Sequence, residues 1–240
     1  MTFCLGMRVK DGLIGLADTR ITSGNEMTTA RKIAVYRRDQ HTMFLMTSGL
    51  RSIRDKVLTY FEQVHDSREE PFPHLYQAVN AVAEQMRIVA QEDRAALAES
   101  GVPFDMHILV GGKMPADATH RLYMIYPQGN WIEIGEGTPY QIIGVGGYGK
   151  PILDRTLQYS DELRFALKVG FLAFDSTRIS ASNVDYPLDV IVFRVNPFSL
   201  RVHRYVKQDL QQLSENWQSR LRESVQSFPE DWVDAAFKDL

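Results

Sequence analysis

Apolar and polar positions alternate from the second residue onward. Phe3, Leu5, Met7 and Val9 make a period-two run, "KDG" at Lys10 to Gly12 supplies a turn, and Leu13 to Asp18 is apolar again. That pattern predicts a β-hairpin at the very start of the chain. A polar stretch follows. "KIAVYR" and "TMFLMTSG" then read as two more strands joined at 38–41. Ile53, Val57, Phe61 and Val64 fall at helical spacing between Leu50 and His65, and Val79, Val82, Met86 and Val89 repeat that spacing between Leu75 and Leu97. Two successive amphipathic helices between groups of strands predict a helical layer packed on a sheet.

Strand patterns return at "MHILVGG", "RLYMIYP", "NWIEIG" and "YQIIGVGG", with "PQGN" as a hairpin turn between the second and third. Helical spacing resumes over 150–157 and 160–177. "LDVIVFRV" and "LRVHRYV" close the strand series around Asn196, Pro197 and Phe198, and 208–240 reads as helix broken at Pro229. No repeat or linker divides the chain, so the expected organisation is one domain over 1–207 and a helical extension over 208–240, packed on the domain or on a neighbouring subunit. In that extension Leu210, Leu213, Trp217 and Leu221 stand near helical spacing, followed by Trp232, Val233 and Phe237.

Composition removes several function classes. The 240 residues are 44% hydrophobic and 24% charged, ordinary values for a chain that buries a core. A net charge of −3 supplies no basic footprint for nucleic acid. No apolar run approaches the roughly 18 residues of a membrane span, and the first nine residues lack a signal-peptide pattern, so a cytoplasmic protein is expected. One cysteine, Cys4, excludes an intrachain disulfide and a multi-cysteine zinc site. It stands in an alternating strand, where a buried inert thiol is expected. The six histidines show no i, i+3 or i, i+4 pair, and no cofactor is expected.

"GVGGYGKP", Gly144 to Pro151, matches G-x-G-x-x-G and most of a phosphate loop. Pro151 stands where such a loop needs a hydroxyl for magnesium, and the preceding strand comes late in an antiparallel succession. Glycine in a turn and proline inside a helix start need only backbone geometry. No G-x-S-x-G elbow is present.

A different nucleophile stands at position 2. Initiator methionine is commonly removed before a residue as small as threonine, which would leave Thr2 with a free α-amine. Such an amine has an ordinary pKa of about 7.7–8.0, so part of it is neutral at cellular pH and acts as a base beside its own hydroxyl. The early strand start is then the placement of a nucleophile. The hairpin return ends in "LADTRITSG", which brings Asp18 toward the chain start, and Lys32 opens the next strand. A lysine ammonium near the nucleophile lowers the pKa of amine and hydroxyl, and a buried carboxylate keeps that lysine charged and aimed.

These residues resemble the N-terminal-nucleophile hydrolases of the proteasome type. "ADTRITSG" is similar to the family's A-D-[ST]-R-x-T-x-G, and a Lys opening the next strand and Gly49 in "TSGL" follow in order. The resemblance covers roughly Thr2 to Val206. It implies an α+β fold, a four-layer αββα sandwich of two antiparallel sheets with a C-terminal helical extension. It also implies Thr2 as nucleophile, Asp18 as the partner of Lys32, Lys32 as the group that tunes the amine, Thr22 on the substrate backbone and the Gly49 amide at the oxyanion. Arg20 would help line the cleft. The later motifs depart from the usual pattern: Val145 stands in the family's G-S-G, and Ile179 falls at the place of an Asp, with Ser182 as the matched serine. "FDSTR", "YGKPILDR" and the tail resemble the bacterial proteasome homologue Anbu, the ancestral β-subunit, and its betaproteobacterial relatives.

The function implied is a threonine peptidase working on peptide or unfolded protein, in a homo-oligomer whose rings close or run open. A partner ATPase unfoldase rests on family analogy alone. The alternatives are a particle of the same build that binds and hydrolyses little, and an amidase acting on small amides.

Overall fold

The structure is a computed structural model and describes residues 2–23, 26–38 and 41–238, with the side chains of residues 22, 23, 26, 27 and 38 left aside. The opening hairpin forms as β1 (Phe3–Val9) and β2 (Gly12–Asp18), with Cys4 opposite Ala17 and Val9 opposite Gly12. The polar stretch after it contains a short ribbon that the sequence pattern did not show, β3 (Arg20–Ser23) and β4 (Glu26–Thr29). "RITS" and "EMTT" are short and mostly polar, so they carry no period-two apolar signal. Then come β5 (Ile33–Arg38), β6 (His41–Gly49), α1 (Arg51–Asp66), α2 (Leu75–Glu99), β7 (Met106–Lys113), β8 (Arg121–Ile125), β9 (Trp131–Glu133) and β10 (Tyr140–Gly144). The chain continues through α3 (Lys150–Thr156), α4 (Leu163–Ser180), β11 (Leu188–Arg194), β12 (Ser199–Tyr205), α5 (Lys207–Gln226) and α6 (Asp231–Phe237).

Two five-stranded antiparallel sheets result, in the orders β10-β1-β2-β11-β12 and β5-β6-β7-β8-β9. Alternation along the strands sorts side chains into layers. Met43, Leu45, Met106, Ile108 and Val110 pack with Ile53, Val57 and Phe61 of α1 and Val79, Val82 and Met86 of α2. Their neighbours Phe44, Met46 and Leu109 face the other way and meet Cys4, Leu13, Ala17, Ile143 and Ile191 between the sheets. On the far side of the first sheet, Phe174 of α4 lies 5.9 Å, ring to ring, from Phe3 of β1. Helices, sheet, sheet, helices: the four-layer αββα sandwich expected from the sequence is present.

Element ends follow local chemistry. The "PQGN" turn closes with Gly129 at φ +79° and the Tyr126 N–H bonded to the Asn130 carbonyl at 2.8 Å. At the start of α2, the Gln77 side chain accepts from the His74 N–H at 3.1 Å, and Asp117 Oδ2 accepts from the backbone N–H groups of Leu75 and Met114, both at 3.0 Å. Residues up to Tyr205 make one compact unit and those from Val206 a second. The second unit is α5, a break at Pro229 and α6, and it exposes Val225, Phe228, Trp232 and Phe237. No helix among the described residues is long and apolar enough to cross a membrane.

Candidate active site

Thr2 immediately precedes β1 and is buried. Its carbonyl accepts from the Val145 N–H at 2.7 Å, so the chain just past β10 pins Thr2 from one side. Gly144 makes that approach possible. Its φ is +91°, and a Cβ there would stand 2.0 Å from the Thr2 carbonyl oxygen. The first glycine of the phosphate-loop match thus serves the approach of Thr2, and the helix after it, α3, is seven residues long.

Asp18 ends β2 on the other side of β1. Cys4 pairs with Ala17, so the next rung of the ladder would join Phe3 to residue 18, and there the Asp18 side chain takes over: Oδ1 accepts from the Phe3 N–H at 2.8 Å. The same oxygen accepts from Lys32 Nζ at 2.7 Å. The side chains of Asp18 and Lys32 are 0% and 4% exposed, so this ion pair is shielded from screening by water. Burial pushes the Asp18 carboxyl up, against the pull of the Lys32 ammonium and of the Phe3 N–H. Asp18 Oδ2 is buried without a partner among the described residues.

Lys32 arrives from the second sheet. The chain leaves β2, forms the β3–β4 ribbon, and returns with the Ala30 N–H bonded to the Thr19 carbonyl at 2.9 Å before entering β5. The Lys32 carbonyl accepts from the Thr47 N–H at 3.1 Å, which fixes its backbone on β6, and Nζ reaches back to Asp18 and to the Arg20 carbonyl, the latter at 2.9 Å. The side chain therefore bridges the two sheets beside Thr2. An ammonium held there favours the neutral form of a neighbouring amine and the ionised form of a neighbouring hydroxyl.

The remaining expected residues fall at different places. Gly49 closes β6 at φ +142°, where a Cβ would lie 2.2 Å from the Asp105 carbonyl oxygen, so any side chain would break the end of the β6–β7 ladder. Arg20 opens β3 and pairs with Asp185, Nη1 to Oδ2 at 3.3 Å. Thr22 stands opposite Met27 on β3, and its side chain lies outside the described residues, as does Met1. Ser182 is not drawn into the cluster. It is exposed in the turn after α4, and no hydrogen bond among the described residues joins it to Thr2, Asp18 or Lys32. Ile179, in the place of the family's Asp, is 55% exposed on the last turn of α4, pointing to solvent because that helix turns its other face to β1 and β2.

Two nearby polar side chains were missed from sequence. Ser48 has its hydroxyl 3.2 Å from the point a Gly144 Cβ would occupy, on the side of Gly144 that also faces the Thr2 carbonyl. Its signal was parity: Phe44 and Met46 face the inter-sheet layer, and position 48 continues that face. Asp185 gave no signal beyond its charge. Cys4 is fully buried, as expected, with its thiol pushed far up by burial and Sγ 3.6 Å from the Thr47 carbonyl. No group of three metal-ligating side chains occurs among the described residues.

No protein-family model and no curated protein matches the sequence. Solved structures do match. Anbu from Pseudomonas aeruginosa, solved as a helical assembly, is 29% identical with a TM-score of 0.87, over 95% of this chain and 97% of that one. The chain is Anbu-like. Anbu from Hyphomicrobium sp. strain MC1 matches at 27% identity and a TM-score of 0.86, over 95% and 98% of the two chains. Anbu, described as the ancestral β-subunit, from Yersinia bercovieri gives 26% and 0.85, over 95% and 97%. The Anbu likeness runs across nearly the full length of the chain.

Proposed function

We propose that this Anbu-like chain is a proteasome-type threonine peptidase that works in a particle built of copies of itself, with Thr2 as nucleophile and base after loss of Met1. The observation that carries the reading is the buried Lys32 ammonium, held between the Asp18 carboxylate and the Arg20 carbonyl next to the chain start. A buried charge held by two acceptors is costly to build, and here it stands beside a residue able to supply hydroxyl and amine together.

In this reading the Thr2 amine, kept neutral by Lys32, takes the proton of the Thr2 hydroxyl as Oγ1 attacks the scissile carbonyl carbon. The oxyanion that forms accepts from the Gly49 N–H, and the protonated amine passes its proton to the departing peptide amine as the C–N bond breaks. An ester on Thr2 remains. Water, deprotonated by the same amine, attacks it, and the acid product leaves with the Thr2 hydroxyl restored. Arg20 and Thr22, on the strand beside the cleft, line the substrate path. The helical assembly of the Pseudomonas aeruginosa relative supports the homo-oligomer.

The test is intact mass before and after exposure to a threonine-directed β-lactone or epoxyketone. Loss of Met1 and a single adduct on Thr2, both absent in Thr2→Ala, are expected. Retention of Met1 in native material, or an unmodified Thr2 under conditions that label a proteasome, would overturn the reading. A second reading, an assembly that binds without cutting, is favoured by Val145, which offers the Thr2 carbonyl an amide but no hydroxyl. Stable peptide capture by unlabelled protein is its signature.

A further inference from the structure

Lys32 is held at two points, and only one of them is a side chain. The second, the Arg20 carbonyl, is only as well aimed as the backbone that carries it. Arg20 opens β3 two residues past the last residue of β2, where pairing with the first sheet has ended. The ribbon holds this stretch on one side, with Arg20 opposite Thr29 and the Ala30 N–H on the Thr19 carbonyl, and the segment 181–187 between α4 and β11 fastens it on the other. The Pro187 carbonyl accepts from both the N–H and the hydroxyl of Thr19, at 3.0 and 2.9 Å. Asp185 Oδ2 takes the Arg20 guanidinium at 3.3 Å, while Oδ1 accepts from the Tyr186 N–H at 2.9 Å.

That segment is itself anchored. The Tyr186 ring packs edge-on to Phe174 at 5.2 Å and lies under the Arg178 guanidinium at 5.4 Å, and Arg178 pairs at 2.6 Å with the fully buried Asp175. A continuous run of contacts leads from the core face of α4 through Tyr186, Asp185 and Arg20 to Lys32. In this run Asp185 is the link that pairs with the Arg20 side chain by charge, and its side chain is 40% exposed, enough to respond to substitution without opening a core.

We propose that Asp185 is a positioning residue for Lys32, acting through Arg20: its carboxylate holds the Arg20 residue so that the carbonyl meets the lysine ammonium. The catalytic consequence rests on the reading of Thr2 as nucleophile; the effect on Lys32 does not. With Asp185 neutralised, Lys32 loosens, its charge acts less on the Thr2 amine, and the amine binds its proton more tightly. Reactivity of Thr2 then rises with pH through a higher midpoint than in the parent.

The test compares full-length Asp185→Asn, Asp185→Glu and Asp185→Ala with the parent protein by two readouts. One is the rate of epoxyketone adduct formation on Thr2 between pH 6 and 9; the other is the rate of Lys32 acylation by acetic anhydride, followed by peptide mass. Asp185→Asn keeps an oxygen for the Tyr186 N–H and loses the charge. It is expected to slow labelling about fivefold at neutral pH, to raise the midpoint, and to speed Lys32 acylation by a similar factor, the scale a partly exposed ion pair sustains. Asp185→Glu is expected to recover most of both. Parent-like acylation of Lys32 in Asp185→Asn overturns the proposal, as does a defect confined to Asp185→Ala, which would mark Asp185 as a turn former only. If the parent itself is not labelled, the nucleophile reading fails, and Lys32 acylation alone decides the role of Asp185.

Discussion

Lys32 shows how one residue can be expensive in stability and still be kept. Its ammonium is nearly inaccessible and its partner Asp18 wholly so. Removing one member of a buried ion pair leaves the other uncompensated, at a cost of about 3–5 kcal/mol. Lys32→Met is therefore expected to lower the melting temperature at neutral pH as well as to abolish Thr2 labelling. The pH dependence carries a sign. Asp18 already has a carboxyl raised by burial, and Lys32 is the largest influence pulling it down. Without that lysine the carboxyl rises further, so the contribution of Asp18 to the variant's stability is greatest in acid and is lost as pH climbs through the raised value. Melting curves from pH 4 to 8 check this, and adding Asp18→Asn should flatten them; a Lys32→Met protein with parent-like stability at pH 8 would contradict the uncompensated charge. From sequence, the partnership of Asp18 with Lys32 was legible because motif and spacing agree. Asp185 was not, because an aspartate before Tyr-Pro reads as a turn residue until its partner, 165 positions upstream, is seen beside it.

At the scale of elements, the first strand is held from outside its own sheet. His120, almost fully buried before β8, has Nε2 2.7 Å from the Val9 carbonyl, which can only accept, so that nitrogen carries the proton. Burial holds this imidazole below its ordinary value of 6.5, and the bond to Val9 opposes that shift only in part. A depressed histidine contributes stability that is complete above the ordinary value and lost as pH falls toward the folded one, because the unfolded chain takes up the proton first. Melting temperature is expected to fall between pH 7 and 5 in the parent and to fall less steeply in His120→Asn, whose absolute stability is lower. The elements themselves were largely readable: period-two and period-3.6 patterns located the strands and helices of the αββα layers to within a few residues. The β3–β4 ribbon escaped because its two four-residue strands are short and mostly polar in sequence, and β10 stops at Gly144, three residues before its glycine run ends, because φ +91° leaves the extended region.

For the whole molecule the expectation is a particle and not a lone chain. The chain is 27.4 kDa, and sedimentation of native protein should give a mass many times larger. Thr2→Ala should leave that mass unchanged, since no layer of the core depends on the Thr2 hydroxyl. A monomer at micromolar concentration would remove the self-assembled particle from the proposed function while leaving the threonine chemistry open to the labelling test.

Sequence by itself determined what depends on neighbours along the chain: the alternation that makes strands two-faced, the helical spacing, the turns, and the presence of a threonine, a carboxylate and a lysine in a recognisable order. The tertiary structure decided which of these groups meet. Lys32 reaches Asp18 only because the chain passes from the first sheet through the ribbon to the second, and Thr2 is pinned only because β10 lies against β1 in the register that puts Gly144 opposite Phe3. Ser182, in the expected order, stays in solvent, and Ser48 and Asp185, outside it, arrive at the site. Such meetings depend on sheet register and layer packing, which are set by the whole core together, so no local pattern encodes them.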